Sequence, residues 1–433
     1  MRTTHLHKPE SIEIFKKQLL GWSQQFHEVV WMDSNEYHQT YTSFDSLLAV
    51  DAITSIQTDY HEAFLKLKEY QSITKDWLFG YLTYDLKNAV EDLKSKNFDG
   101  LNFPELYFFQ PKKMFLFKGD SVEMHYLNMV SDEFETDLKT IINQKSFDST
   151  HQNCVINIKP RIHKEAYLAK ANIMLGQIQR GDIYEANFCQ EFYAENASIC
   201  PLDIYWQLND ISKPPFATYM KLGDKYVLSA SPERYLMKTG NKIISQPIKG
   251  TARRSKDETE DKKLKEQLAV DEKERSENIM IVDLVRNDLS KTARKGSVNV
   301  EELCQVYTFP QVHQMISTIT SVLEDLTHPV DVIESTFPMG SMTGAPKISA
   351  MKIIETLEET KRGVYSGAIG YFTPNNNFDF NVVIRSILYN ETNKYLSFSV
   401  GSAITAKSEP LKEYEECLVK AKAMREVLEN KES

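Results

Sequence analysis

The chain has no run of eighteen apolar residues, so no segment reads as a membrane-spanning helix. Its start, Met1-Arg2-Thr3-Thr4-His5, has no apolar signal core, and cytoplasm is the expected location. The five cysteines (Cys154, Cys189, Cys200, Cys304, Cys417) are scattered without a Cys-x-x-Cys pair, which excludes a zinc framework or a disulfide scaffold. A basic excess is also missing. The net charge of −10 argues against non-specific nucleic-acid binding, which needs a basic face. Neither an internal repeat nor a low-complexity linker stands out. What remains is a chain of 433 residues, 41% apolar and 26% charged, long enough for a large core or two to three domains. In so acidic a protein, an anionic substrate must be held by local cations, a metal ion or helix N-termini.

Residues 1–153 are rich in aromatics and short strand-like runs, such as Val29–Asp33, Trp77–Tyr81 and Met114–Phe117. The polar stretch Asp148–Asn153 supplies a boundary, with residues 154–433 as a second region packed into the same globule. Beyond it, the pattern predicts a helix over Glu165–Arg180, closed by Gly181, and a strand over Ile183–Phe192. The charged segment Ser255–Lys273 reads as a solvated helix face or a loop, ahead of a long helix over about Glu274–Ala293. Strand-like runs follow at Gly363–Phe372, Asn381–Tyr389 and Tyr395–Ile404, and a last helix covers about Leu411–Leu428. Strands and helices do not alternate strictly. The expected class is therefore α+β: a two-lobed, β-sandwich-like core of mixed or antiparallel sheets flanked by helices.

Several groups could carry chemistry. Lys249 lies in an apolar-flanked turn, Pro247-Ile248-Lys249-Gly250-Thr251, after a strand-like run; Ser231-Pro232-Glu233 closes another such run. A buried lysine can be held neutral and nucleophilic, and a buried glutamate protonated as a general acid, although a lysine after a strand is usually just solvated. Glu274 and Glu277 open one predicted helix, and Glu413 and Glu416 open another, with Lys420 one turn further on. Carboxylates at i and i+3 share a helical face, and four of them converging would suit Mg²⁺; acidic residues in a first turn also simply complement the helix dipole. The small-residue turn Gly340–Lys347 lacks the Gly-Lys-[Ser/Thr] ending of a phosphate-binding loop but can deliver a helix N-terminus. Arg385 in an apolar run needs an anion or solvent, and Gly401-Ser402-Ala403 is small enough for a ligand to reach backbone N–H groups. His313 is flanked by apolar residues, a setting more often found in the core than at a reacting centre.

Taken together, these segments resemble the chorismate-utilising enzymes, a family that includes anthranilate, aminodeoxychorismate, isochorismate and salicylate synthases. The matching stretches are Gly181–Tyr184, Ser231–Glu233, Pro247–Thr251, Glu277–Asp288, Gly340–Lys347, Arg362–Tyr371 and Glu413–Cys417. Ser43–Asp51 and Phe79–Tyr81 are similar to the aminating members. The resemblance implies chorismate as substrate and Mg²⁺ held by Glu277 and Glu416, with Glu274 and Glu413 close by. It implies that Thr343, Tyr365, Arg385, Gly401 and Lys420 surround the substrate, with Gly250, Thr251, Ser402 and Ala403 in the same site. It also implies that Glu233 protonates the departing hydroxyl and that His313 lies beside the ring.

The residue before Gly250-Thr251 divides the family. Lysine there resembles the aminodeoxychorismate synthases, in which it attacks C2 before ammonia adds at C4; Lys249 thus implies 4-amino-4-deoxychorismate, a precursor of 4-aminobenzoate and folate. Glu185 stands where aminating members usually have glutamine and isochorismate-type members a lysine. No glutaminase signature is present, so ammonia is expected from a separate glutamine amidotransferase subunit, as a stable or transient heterodimer. The tryptophan-site motif of anthranilate synthases is absent, and tryptophan inhibition is not expected. The alternatives are anthranilate synthase component I and a catalytically silent chorismate-binding subunit.

Overall fold

The computed structural model describes residues 1–37, 40–42, 44–144, 156–309 and 312–429. The predicted boundary at residue 153 and the first residue of the Ser43–Asp51 stretch lie outside these residues.

Two antiparallel sheets form the core. In spatial order, the first contains Arg2–His7, Ser121–Leu127, Leu106–Lys118, Ser46–Thr58, Glu28–Asp33, Phe216–Leu222, Lys225–Ser231, Ser386–Asn390, Tyr395–Thr405 and Glu185–Ala194. The second starts from the other end of Leu106–Lys118 and continues through Leu78–Leu82, Ala368–Phe372, Phe378–Val382, Arg234–Thr239, Lys242–Gln246 and Val312–Val322. Ile248–Arg253 follows Lys242–Gln246 along one side of Val312–Val322, and Asn299–Thr308 pairs with the other side. The long pair Ser46–Thr58 and Leu106–Lys118 is irregular between Ala52 and Thr54, where it bends to serve both sheets.

Strand alternation builds the two cores. Val30, Leu47, Ala49, Met114 and Leu116 face the space between the sheets. Their neighbours Val29, Trp31, Leu48, Val50, Phe115 and Phe117 face helices on the outer side of the first sheet. Those helices include Ile12–Ser23, Lys164–Gln179, Pro201–Ser212 and Pro410–Glu429. Strands from residues 1–144 thus hydrogen-bond directly to strands from the rest of the chain. Among the described residues, no helix is long and apolar enough to cross a membrane.

Of its two expected forms the charged segment takes the helix, Glu258–Val270, capped by Asp257. A second helix, Glu272–Ser290, follows at once, capped by the Asp271 side chain on the N–H of Glu274. The predicted strand Asn381–Tyr389 is two strands in different sheets, because Arg385 takes φ +53° and turns the chain between them. Only Ala368–Phe372 of the predicted run Gly363–Phe372 is extended, so Tyr365 lies in a turn.

Candidate active site

The sandwich opens where two neighbouring strands cross from one sheet to the other. Lys225–Ser231 belongs to the first sheet and Arg234–Thr239 to the second, so Pro232 and Glu233 form one crossover. Val383–Arg385 forms the other, in the opposite direction. The crossovers are tied together: the Val382 N–H donates to the Glu233 carbonyl at 3.0 Å, and the Ala230 N–H to the Arg385 carbonyl at 3.1 Å. Beside them lies a cavity of about 400 Å³. It is lined by Glu233, Lys249, Gly250, Thr251, Glu274, Glu277, Tyr365, Arg385, Gly401, Ala403, Glu413, Glu416 and Lys420, among others. Side chains from both sheets and from the N-terminal parts of two helices therefore meet in one space.

Lys249 reaches the cavity through a bulge. Ile248 pairs with Ile316 and Thr251 with Gln314, so two residues, Lys249 and Gly250, stand opposite Met315. Gly250 has φ +98°, and a Cβ there would lie 3.2 Å from Glu274 Oε2 and from Met315 Cβ, so the bulge needs glycine. Asn278, beside Glu277, clamps this bulge by donating Nδ2 to the carbonyls of Lys249 (3.2 Å) and Met315 (3.3 Å). Lys249 Nζ stands 3.2 Å from Glu185 Oε1, and the other Glu185 oxygen is buried without a hydrogen-bond partner.

Electrostatics decide between the two states open to Lys249. Burial pushes Lys249 toward the neutral form, but Glu185, Glu277 and Glu233 outweigh it and hold the lysine above its ordinary range. In this arrangement it is an ammonium, not the neutral amine expected from burial alone. Glu233 is fully enclosed, and burial pushes its carboxyl up to about 7 against the Ser341 hydroxyl and the Lys249 charge. It can therefore hold a proton near neutrality, as a general acid must.

The four carboxylates form one wall. Burial raises Glu277 to about 7 and also raises Glu274; for Glu416 burial is outweighed by Lys420, 2.6 Å away, which lowers it. Glu277 Oε1 is buried with no hydrogen bond, and Glu413 is almost fully buried. Lys273 lies between these two, 3.8 Å from Glu277 and 3.6 Å from Glu413. An oxygen-only donor set with an unsatisfied buried oxygen fits a hard divalent cation. Among the described residues, no three acidic, histidine or cysteine side chains are yet close enough to enclose one.

Beside this wall, Arg385 donates to the Lys420 carbonyl at 3.4 Å and, among the described residues, forms no ion pair. Lys420 Nζ is anchored on the Gly401 carbonyl at 2.8 Å. A Cβ at Gly401 would fall 2.5 Å from Cys189 Sγ. Tyr365 is buried, with its hydroxyl 3.6 Å from that sulfur. Arg362 ties together the segments that carry Asn187 and Met342, donating to the carbonyls of Met342 (2.6 Å) and Asn187 (2.8 Å) and to the Glu358 carboxylate.

Three sequence-based assignments fall outside the cavity. His313 faces away because strand alternation turns Val312 and Gln314 inward; its ring meets Thr308 and Asp261 instead, each at 3.1 Å. Thr343 folds its hydroxyl back on the Met339 and Gly340 carbonyls, so Ser341 and Met342 line the site in its place. Ser402 points between its cavity-lining neighbours toward Tyr167, 3.3 Å away. The N-terminus of the helix Lys347–Leu357 also stays outside; its Lys347 is used by Asp288 and the Thr336 carbonyl. Sequence reasoning missed Asn187, Gln314, Ser341 and Lys273. The first three are uncharged and carry no spacing signal; Gln314 could have been found by asking which face of its strand Thr251 pairs with.

The model of the chorismate-binding enzymes matches residues 24–426. The anthranilate synthase component 1 of Thermus thermophilus is 32% identical over 82% of this chain and 78% of its own length. The aminodeoxychorismate synthase component 1 of Bacillus subtilis is also 32% identical, over 81% of this chain and 76% of its own. Among solved structures, anthranilate synthase component I from Streptococcus pneumoniae superposes with a TM-score of 0.78, covering 90% of this chain and 94% of that one at 24% identity, and shares the fold.

Proposed function

The chain belongs to the chorismate-binding enzyme family, and on that premise we propose that it aminates chorismate at C4, giving 4-amino-4-deoxychorismate through a covalent bond to Lys249. The observation that carries this reading is the placement of Lys249 Nζ in the cavity, with the protonatable Glu233 in the same wall and a carboxylate oxygen of Glu185 behind it.

Glu185 takes the ammonium proton, and the freed Lys249 amine attacks ring carbon C2. The ring double bonds shift, the C4–O bond breaks, and Glu233 gives its proton to the hydroxyl, which leaves as water. The adduct is a secondary ammonium. Ammonia adds at C4, the double bonds shift back, the C2–N bond breaks, and the lysine leaves as an amine that takes its proton back from Glu185. The new C4 nitrogen carries the extra proton, and Glu233 is reprotonated before the next turnover. Arg385 and Lys420 supply positive charge for the substrate's carboxylates. Glu277 and Glu416, with Glu274 and Glu413, would hold Mg²⁺; bound there, the ion would bind a substrate carboxylate and offset the charge of the wall. Ammonia comes from a separate glutamine amidotransferase subunit, consistent with relatives named as component 1 of their enzymes, and the product serves 4-aminobenzoate and folate synthesis in the cytoplasm.

The equal identity to an anthranilate synthase component 1 favours a second reading, amination at C2 with loss of pyruvate. Incubation with chorismate, Mg²⁺ and ammonium separates the two. The proposal expects 4-amino-4-deoxychorismate without pyruvate; anthranilate with stoichiometric pyruvate overturns it.

A further inference from the structure

We infer that Lys273 is a tethered counter-ion of the carboxylate wall, one that a divalent cation must displace and that therefore weakens cation binding. This rests on the reading that Glu274, Glu277, Glu413 and Glu416 hold the metal ion. Lys273 lies in the first turn of the helix Glu272–Ser290, one turn before Glu277, and reaches across to Glu413 on the helix Pro410–Glu429. It sets a cation between the two helices.

Three observations distinguish it from an ordinary surface lysine. First, both carboxylates it faces are buried, with side-chain exposures of 11% for Glu277 and 4% for Glu413. Two such charges packed together are costly without a cation. Second, its contacts of 3.6 and 3.8 Å exceed the 2.7–2.9 Å typical of a charged hydrogen bond, and among the described residues its ammonium donates none. Lys420, by comparison, is fixed both to Glu416 at 2.6 Å and to the Gly401 carbonyl. Third, 42% of the Lys273 side chain is exposed, so it has a path out to solvent.

The consequence is a competition. An ammonium with no directional bonds balances the charge from a distance and keeps the carboxylates apart. Mg²⁺ needs oxygen at about 2.0–2.1 Å, so the carboxylates must close where Lys273 now stands. Lys273 then swings outward, and the lost attraction is subtracted from the cation's affinity.

Direct Mg²⁺ titration by calorimetry, repeated with Mn²⁺ by electron paramagnetic resonance, tests this on the intact chain. Lys273→Met is expected to bind the cation on the order of tenfold more tightly than the unaltered protein. Lys273→Arg, which keeps the charge, should bind about as the unaltered protein does. Thermal melts give a second readout: Lys273→Met should melt lower without a divalent cation and recover with it. Equal or weaker binding by Lys273→Met, with its circular dichroism unchanged, overturns the inference while leaving the metal reading intact. If the unaltered protein takes up no divalent cation, both fail together. Should Lys273→Met not fold, Lys273→Gln serves in its place with the same expected tightening.

Discussion

The Glu233–Lys249 pair and the four-carboxylate wall share one cavity but are built in opposite ways. The pair comes from the sheets. Glu233 sits at a sheet-to-sheet crossover, and Lys249 at a bulge clamped by Asn278. The wall comes from the N-terminal parts of two helices, with the loosely placed Lys273 between Glu277 on one and Glu413 on the other. Reacting atoms must be fixed within tenths of an ångström before the substrate arrives, which strand backbones provide. Ion ligands can wait apart and close on the ion, and helix ends joined by a flexible cation allow that.

The comparison can be broken at either end. The largest effect is expected at the pair: Lys249→Ala should abolish amination of chorismate with ammonium, while chorismate binding, followed by calorimetry, persists. Glu233→Gln comes next, slowing turnover about 10²- to 10⁴-fold. Because Glu233 titrates at about 7, turnover should fall as pH rises through that value, and the variant should lose this limb. The same shift has a stability sign. Between the ordinary value of 4.5 and about 7 the folded chain keeps a proton that the unfolded chain releases. Stability therefore falls as pH rises through that window, and Glu233→Gln flattens the fall in urea unfolding.

Asn278→Ala tests the clamp. It leaves the Lys249 and Met315 carbonyls short of a donor and should cost about 1–3 kcal/mol in urea unfolding, with kcat falling more than KM rises. The smallest effect on chemistry is expected at His313. His313→Ala removes its contacts with Asp261 and Thr308, costing about 1 kcal/mol of stability, and should leave kcat within about twofold.

Charged residues in short, ordered motifs were legible in the sequence. Lys249, Glu233 and the four wall glutamates all line the cavity, as do Arg385 and Lys420. The antiparallel α+β core was legible too, from strand-like runs without regular helix alternation. Orientation on a strand was not. The family resemblance placed His313 beside the ring, yet Gln314 faces inward, since a one-residue difference reverses the face of a strand. Nor did the run around Arg385 reveal its crossover: apolar residues on both sides look like one strand, and only the backbone at φ +53° divides it. The state of Lys249 was not legible for a related reason. Burial can be guessed from sequence, but the three carboxylates around the amine come from distant segments.

The most direct test of the central claim is intact-mass and peptide mapping of the protein after chorismate and Mg²⁺ are added without ammonia. The account predicts an adduct equal to chorismate less one water, located on Lys249, and discharged when ammonium is supplied. Full amination by a protein that never carries this adduct, or that keeps its rate as Lys249→Ala, would contradict it.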